Sequence, residues 1–160
     1  MKKVREFISH SSEETQDFAK KISSTLQSPL IIGLVGEIGT GKTCFVKGLA
    51  QGLGIDANLV TSPTFTIVNN FTGKFDFYHL DIYRLSGYDE LEYIGFTDFL
   101  YNNSIIVIEW YEKIRSEVYA EMIINFSYVD ENTRRIILDQ KPKTKTKNEI
   151  YGYRTQLASV

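Results

Sequence analysis

The chain has one cysteine, Cys44, three prolines and one tryptophan in 160 residues. A lone cysteine excludes an internal disulfide, so the fold is expected to rest on its apolar core. The N-terminal region lacks a long apolar stretch of the kind that serves as a signal or spans a bilayer, so a cytoplasmic location without a membrane partner is expected. Basic excess is missing too: 18 Lys and Arg stand against 20 Asp and Glu, a formal net charge of −2. That balance argues against recognition of nucleic acid by charge alone, and any part in RNA chemistry is expected to be indirect. From Lys141 onward, Lys-Pro-Lys-Thr-Lys-Thr-Lys-Asn-Glu lacks the apolar content to fold, so 141–160 reads as a flexible lysine-rich tail. With 42% hydrophobic and 13% aromatic residues overall, positions 1–140 suffice for one domain around one core.

What is present reads as alternating helices and strands. After a short segment ending in Phe7 and Ile8, Ser11 to Glu14 offers a capping box. Phe18, Ala19, Ile22 and Leu26 then recur at helical spacing, predicting a helix that ends near Ser28-Pro29. Leu30 to Val35 is a continuous aliphatic run broken only by Gly33, as expected of a strand buried on both faces. A glycine-rich turn leads into a helix from about Lys42 to Leu53. Thr61 to Asn70 begins with a Ser62-Pro63 turn and continues as a strand, joined through Phe71-Thr72-Gly73-Lys74 to a second strand over Phe75 to Leu80 as an antiparallel hairpin. Glu90 to Leu100 reads as helical with a break at Gly95. Ile105 to Ile108 is a second buried strand ending at Glu109, and Ala120 to Val129 pairs with Arg134 to Leu138 as a closing hairpin.

Gly36-Glu37-Ile38-Gly39-Thr40-Gly41-Lys42-Thr43 fits G-x-x-x-x-G-K-[ST] between a buried strand and a helix, the context that this motif requires. Its glycines allow positive φ, so that successive backbone N–H groups can surround an anion. The helix that follows turns its positive end toward the same point. Lys42 would bridge the β- and γ-phosphates and the Thr43 hydroxyl would ligate Mg²⁺. A plain glycine-rich turn is the alternative. A second acid is expected near the metal, and two candidates end strands: Asp81 after Tyr78-His79-Leu80, and Glu109 after Ile105-Ile106-Val107-Ile108. No Asp-x-x-Gly turn of the guanine-specific proteins is present, and Thr146-Lys147-Asn148-Glu149 approximates their base reader only within the tail, so adenine is favoured.

The phosphate loop, Ser62-Pro63-Thr64-Phe65-Thr66, His79-Leu80-Asp81-Ile82-Tyr83-Arg84-Leu85 and Ile108-Glu109-Trp110, in that order, resemble the TsaE (YjeE) family from about Ser11 to Leu138. Tyr111 departs from it, standing where the family more often has a small residue or proline. The resemblance implies a three-layer α/β P-loop NTPase fold, with a mostly parallel sheet and antiparallel strands at its edges. It implies a Mg²⁺-dependent ATPase that supports TsaD and TsaB in threonylcarbamoyl transfer to tRNA and meets tRNA only through that complex. It also implies that ATP contacts Gly36 to Cys44, that Lys42, Asp81 and Glu109 are catalytic, and that Thr43, Asp81 and Glu109 serve the metal. Ser62 to Thr66 would act as a switch loop with Trp110 as a partner-sensing residue.

Read without the family, Trp110 is better explained by packing than by function, and only its place in the family motif makes the two even. His79, between Tyr78 and Leu80, reads as structural in preference to a general base, and Cys44 reads as a small buried packing group. Arg84 fits a salt bridge to Asp81 or Glu90 somewhat better than a place at the transition state. The rival activity is a small-molecule kinase, against which stands the absence of any Arg or Lys between Gly87 and Asn103, where a charged lid would lie. A nucleotide-binding regulator with little turnover is the third reading.

Overall fold

The computed structural model describes residues 3–101 and 103–142. Most of the lysine-rich tail therefore lies outside the described residues. The order of elements is β1 (Lys3–Ser9), α1 (Ser12–Ser23), β2 (Leu30–Val35), α2 (Lys42–Gly52), β3 (Val68–Thr72), β4 (Asp76–Asp81), α3 (Tyr88–Tyr93), α4 (Phe96–Tyr101), β5 (Ser104–Glu109), β6 (Met122–Tyr128) and β7 (Arg134–Gln140). Short 3₁₀ turns occupy Ala57–Leu59 and Tyr111–Ile114.

All strands share one seven-stranded sheet in the order β1-β7-β6-β2-β5-β4-β3. The pairs β6/β2, β2/β5 and β5/β4 are parallel, while β1/β7, β7/β6 and β4/β3 are antiparallel. A parallel centre with antiparallel edges is the arrangement expected from the sequence. It follows from the two aliphatic runs, β2 and β5, which can be buried only if helices cover both faces. On one face α1 and α2 pack over Ile32, Leu34, Phe77, Ile105 and Val107. On the other, Leu91, Phe96 and Leu100 of the α3–α4 segment cover Tyr78, Leu80, Ile106 and Ile108.

Several boundaries differ from expectation. Helix α1 starts as predicted, with Glu14 N–H donating to the Ser11 hydroxyl at 3.1 Å, but it stops at Ser23, five residues short of Ser28. Thr25 and Leu26 turn back onto the carbonyls of Ile22 and Ser23 there. The Ser62-Pro63 turn is as expected, but the strand after it begins only at Val68, so the chain is loop throughout 61–67. The opening segment is a full strand, β1, added at the sheet edge against β7. The break at Gly95 is as expected: its φ of 90° separates α3 from α4. Among the described residues no helix is long and apolar enough to cross a membrane.

Candidate functional site

Strands β2, β4 and β5 all run toward the same edge, and the chain leaves each at a candidate residue. After β2 the loop from Gly36 turns through Gly39 (φ 76°) and Gly41 (φ 99°), backbone angles that an L side chain resists, and α2 begins at Lys42. No side chain caps α2, so its first amides are left open at the loop. The carbonyls of this loop hold Lys42: its Nζ donates to Gly36 O at 2.6 Å and Glu37 O at 2.8 Å and lies 4.1 Å from the centre of the Trp110 ring. Burial pulls the Lys42 ammonium below the ordinary lysine range, opposed by the carboxylates of Glu109, Glu112 and Asp81.

The two acids sit side by side because β4 and β5 pair in a register that sets Asp81 opposite Glu109, and both are only 3% exposed. Glu109 Oε1 accepts from the Thr43 hydroxyl at 2.8 Å and contacts His79 Nε2 at 2.7 Å. Asp81 Oδ2 accepts from the hydroxyls of Thr64 at 2.8 Å and Ser62 at 3.2 Å, while its Oδ1 accepts from the Tyr83 amide at 3.0 Å. Asp81 therefore ties the 61–67 loop to the site. That attachment explains why the segment leaves the sheet despite its Thr, Phe and Ile content.

A cavity of about 390 Å³ collects these groups: Ile38, Gly39, Gly41, Lys42, Thr43, Cys44, Ser62, Thr64, Asp81, Tyr83, Glu109 and Trp110 line it. The sequence had given a site role to all of these except Tyr83, which it named only within the family motif and whose ring lies 4.8 Å from that of Trp110. Gly36, Glu37 and Thr40 do not line the cavity, and the Thr40 hydroxyl donates to Glu37 O at 2.7 Å. Pro63, Phe65 and Thr66 stand outside the cavity wall, and Phe65 is 79% exposed. The two non-glycine residues with positive φ among the described residues, Ile67 (68°) and Trp110 (65°), flank this site. Backbone strain of that kind gathers at functional sites.

Arg84 departs from its expected salt bridge. Its guanidinium stacks 4.1 Å from the Phe65 ring, Asp81 is occupied by hydroxyls and an amide, and Glu90 accepts from Ser86. Cys44 is half-buried at the cavity wall, donating to Ser12 O at 3.3 Å, so it is not simply a core group.

A second cavity of about 230 Å³, not foreseen from the sequence, adjoins the first through Gly39, Gly41 and Cys44. Its other walls come from the segment after β1 (His10, Ser11, Ser12) and the β6–β7 turn (Glu131, Asn132, Arg134). Those residues are far apart in the chain and form no motif, which is why only the fold brings them to notice.

The site's donor set is all oxygen. Thr43 commits its one hydroxyl proton to Glu109 and so offers lone pairs to a cation. Among the described residues no group of three or more His, Cys, Asp and Glu forms a closed metal cage. Two carboxylates and a hydroxyl suit a hard ion that completes its shell with ligand oxygens and water.

The family model described as Threonylcarbamoyl adenosine biosynthesis protein TsaE matches residues 9–137. A tRNA threonylcarbamoyladenosine biosynthesis protein TsaE from Treponema pallidum is 39% identical over 111 residues, covering 69% of this chain and 82% of that protein. Its namesake from Aquifex aeolicus is 35% identical over 143 residues, covering 88% of this chain and 100% of that one. The crystal structure of Bacillus subtilis YdiB is similar with a TM-score of 0.72 at 25% identity, covering 99% of this chain and 97% of that chain.

Proposed function

Because the chain belongs to the TsaE family, we propose that it is a Mg²⁺-dependent ATPase of the P-loop NTPase fold that supports the TsaB–TsaD threonylcarbamoyl-transfer cycle in tRNA threonylcarbamoyladenosine synthesis. The observation that carries this reading is the meeting of Lys42, Thr43, Asp81 and Glu109 around one cavity at the uncapped start of α2. ATP is the substrate, with its phosphates in that cavity. Its nucleoside occupies the adjoining one, where the hydroxyls of Ser11 and Ser12 and the amide of Asn132 can meet the ribose and the base edge.

In this account the loop amides and the start of α2 receive the β- and γ-phosphates, and Lys42 exchanges the carbonyls of Gly36 and Glu37 for phosphate oxygens. Thr43, Glu109 and Asp81 would hold Mg²⁺, which when bound neutralises charge on the phosphate oxygens. Glu109, held through one carboxylate oxygen by Thr43 and His79, keeps the other for orienting the attacking water. The 61–67 loop is tied to the site through the bonds of Ser62 and Thr64 to Asp81, with Arg84 stacked on Phe65 beside them, so a change in the bonds of Asp81 loosens it. Phe65 then carries that change to a partner surface.

Hydrolysis is favoured over transfer to a small acceptor because α3 and α4 lie on the sheet face opposite α2. Neither helix covers the phosphate loop, and neither brings an Arg or Lys. The reading is tested by titrating the protein with ATP and Mg²⁺ and analysing the products. Binding lost in Lys42→Ala, with ADP and inorganic phosphate as products, agrees with it; a phosphorylated acceptor overturns it in favour of a kinase.

A further inference from the structure

We propose that His79 is a positioning residue that holds Glu109 in its working orientation, an inference that rests on the assignment of Glu109 to the site above. Strand pairing sets His79 opposite Val107 and Asp81 opposite Glu109, so His79 and Glu109 are diagonal neighbours on one face of the sheet. That diagonal lies within reach of an imidazole, and Nε2 meets Glu109 Oε1 at 2.7 Å.

The imidazole is completely buried and lines neither cavity, so it does not touch a ligand in either. Packing alone does not account for it. A polar ring in a core is normally bonded at both nitrogens, yet among the described residues His79 Nδ1 has no partner and its side chain bonds through Nε2 to Glu109 alone. A carboxylate only accepts, so Nε2 donates.

Glu109 Oε1 thus receives two donors of different character. The Thr43 hydroxyl turns freely about one bond and faces the cavity, where a bound ligand competes for it. The His79 ring is clamped by the core and cannot turn away. It is the fixed member of the pair, and it keeps the carboxylate in place when Thr43 shifts. Groups that orient metal-site and catalytic carboxylates from behind typically affect activity by about 10- to 100-fold.

The test uses the full chain with TsaB and TsaD and compares wild type, His79→Leu and His79→Gln, each checked for folding by thermal melting. The glutamine amide can place an N–H near the position of Nε2; leucine fills the space without a donor. The expected result is a kcat for ATP hydrolysis lowered about 10- to 100-fold in His79→Leu, with KM for ATP changed much less, and substantial recovery in His79→Gln. A folded His79→Leu protein with wild-type kcat, or equal losses in both variants, overturns the proposal. Turnover that requires Lys42 but ignores His79 removes only this role. Wild-type turnover no different from Lys42→Ala removes the ATPase reading and this role with it.

Discussion

At the scale of single residues, the site is a set of mutual restraints. Lys42 is bound to its own loop and to Trp110, Thr43 to Glu109, and Asp81 to Ser62 and Thr64. Each bond holds a group in place but must loosen for a ligand to enter. Trp110 is the sole tryptophan of the chain, so its emission reports on Lys42 directly. Adding ATP and Mg²⁺ is expected to change that emission in wild type and to leave it unchanged in Lys42→Ala, as measured by fluorescence titration. Thr43→Ala is expected to lower turnover by about 100-fold or more and to raise the Mg²⁺ concentration at half-maximal rate, because both the hydroxyl ligand and one restraint on Glu109 are lost. Turnover assayed across a Mg²⁺ series checks this. In the second cavity, Asn132→Ala is expected to raise KM for ATP with kcat little changed, the signature of a group that binds ground state and transition state alike.

At the scale of elements, the close approach of β2 to the 3₁₀ turn after β5 sets the position of Glu109. Gly33 has no Cβ, and a methyl there would overlap the ring of Tyr111. The Tyr111 hydroxyl in turn donates to Val118 O at 2.6 Å and accepts from the Ala120 amide at 3.2 Å, closing the turn that carries Trp110. A large aromatic at 111 is thus accommodated by glycine at 33. Tyr111→Phe leaves a buried carbonyl and a buried amide without this partner, at a cost of about 1–3 kcal/mol. Calorimetry is expected to show a lowered Tm with activity at ambient temperature retained. Gly33→Ala is expected to be the more damaging of the two, because overpacking at a central strand shifts backbone as well as side chains.

At the scale of the whole molecule, legibility followed burial and locality. The runs Leu30–Val35 and Ile105–Ile108 were readable because a strand covered on both faces is apolar throughout, and the phosphate-loop pattern was readable because its residues are consecutive. Strand β1 was not, since Lys3, Arg5 and Glu6 make it look like a solvated lead-in and only pairing with β7 reveals it. The 61–67 segment was misread because its strand-like composition is outweighed by side-chain bonds to Asp81, nearly twenty positions away. The second cavity gathers three distant segments, and the partnership of His79 with Glu109 depends on strand register; neither leaves a mark in local sequence. The near-neutral charge of the chain bears on its partners as well. Alone it is expected to retain little tRNA at physiological salt in a filter-binding assay, with retention appearing only when TsaB and TsaD are added.

The central claim is that the cavity around Lys42, Thr43, Asp81 and Glu109 hydrolyses ATP in the service of a partner complex. Steady-state ATP hydrolysis by the purified chain, alone and with TsaB and TsaD, with Lys42→Ala as the blank, tests it most directly. The account predicts slow turnover alone, a clear rise with the partners and none with Lys42→Ala; fast turnover indifferent to the partners, or turnover that survives the loss of Lys42, would contradict it.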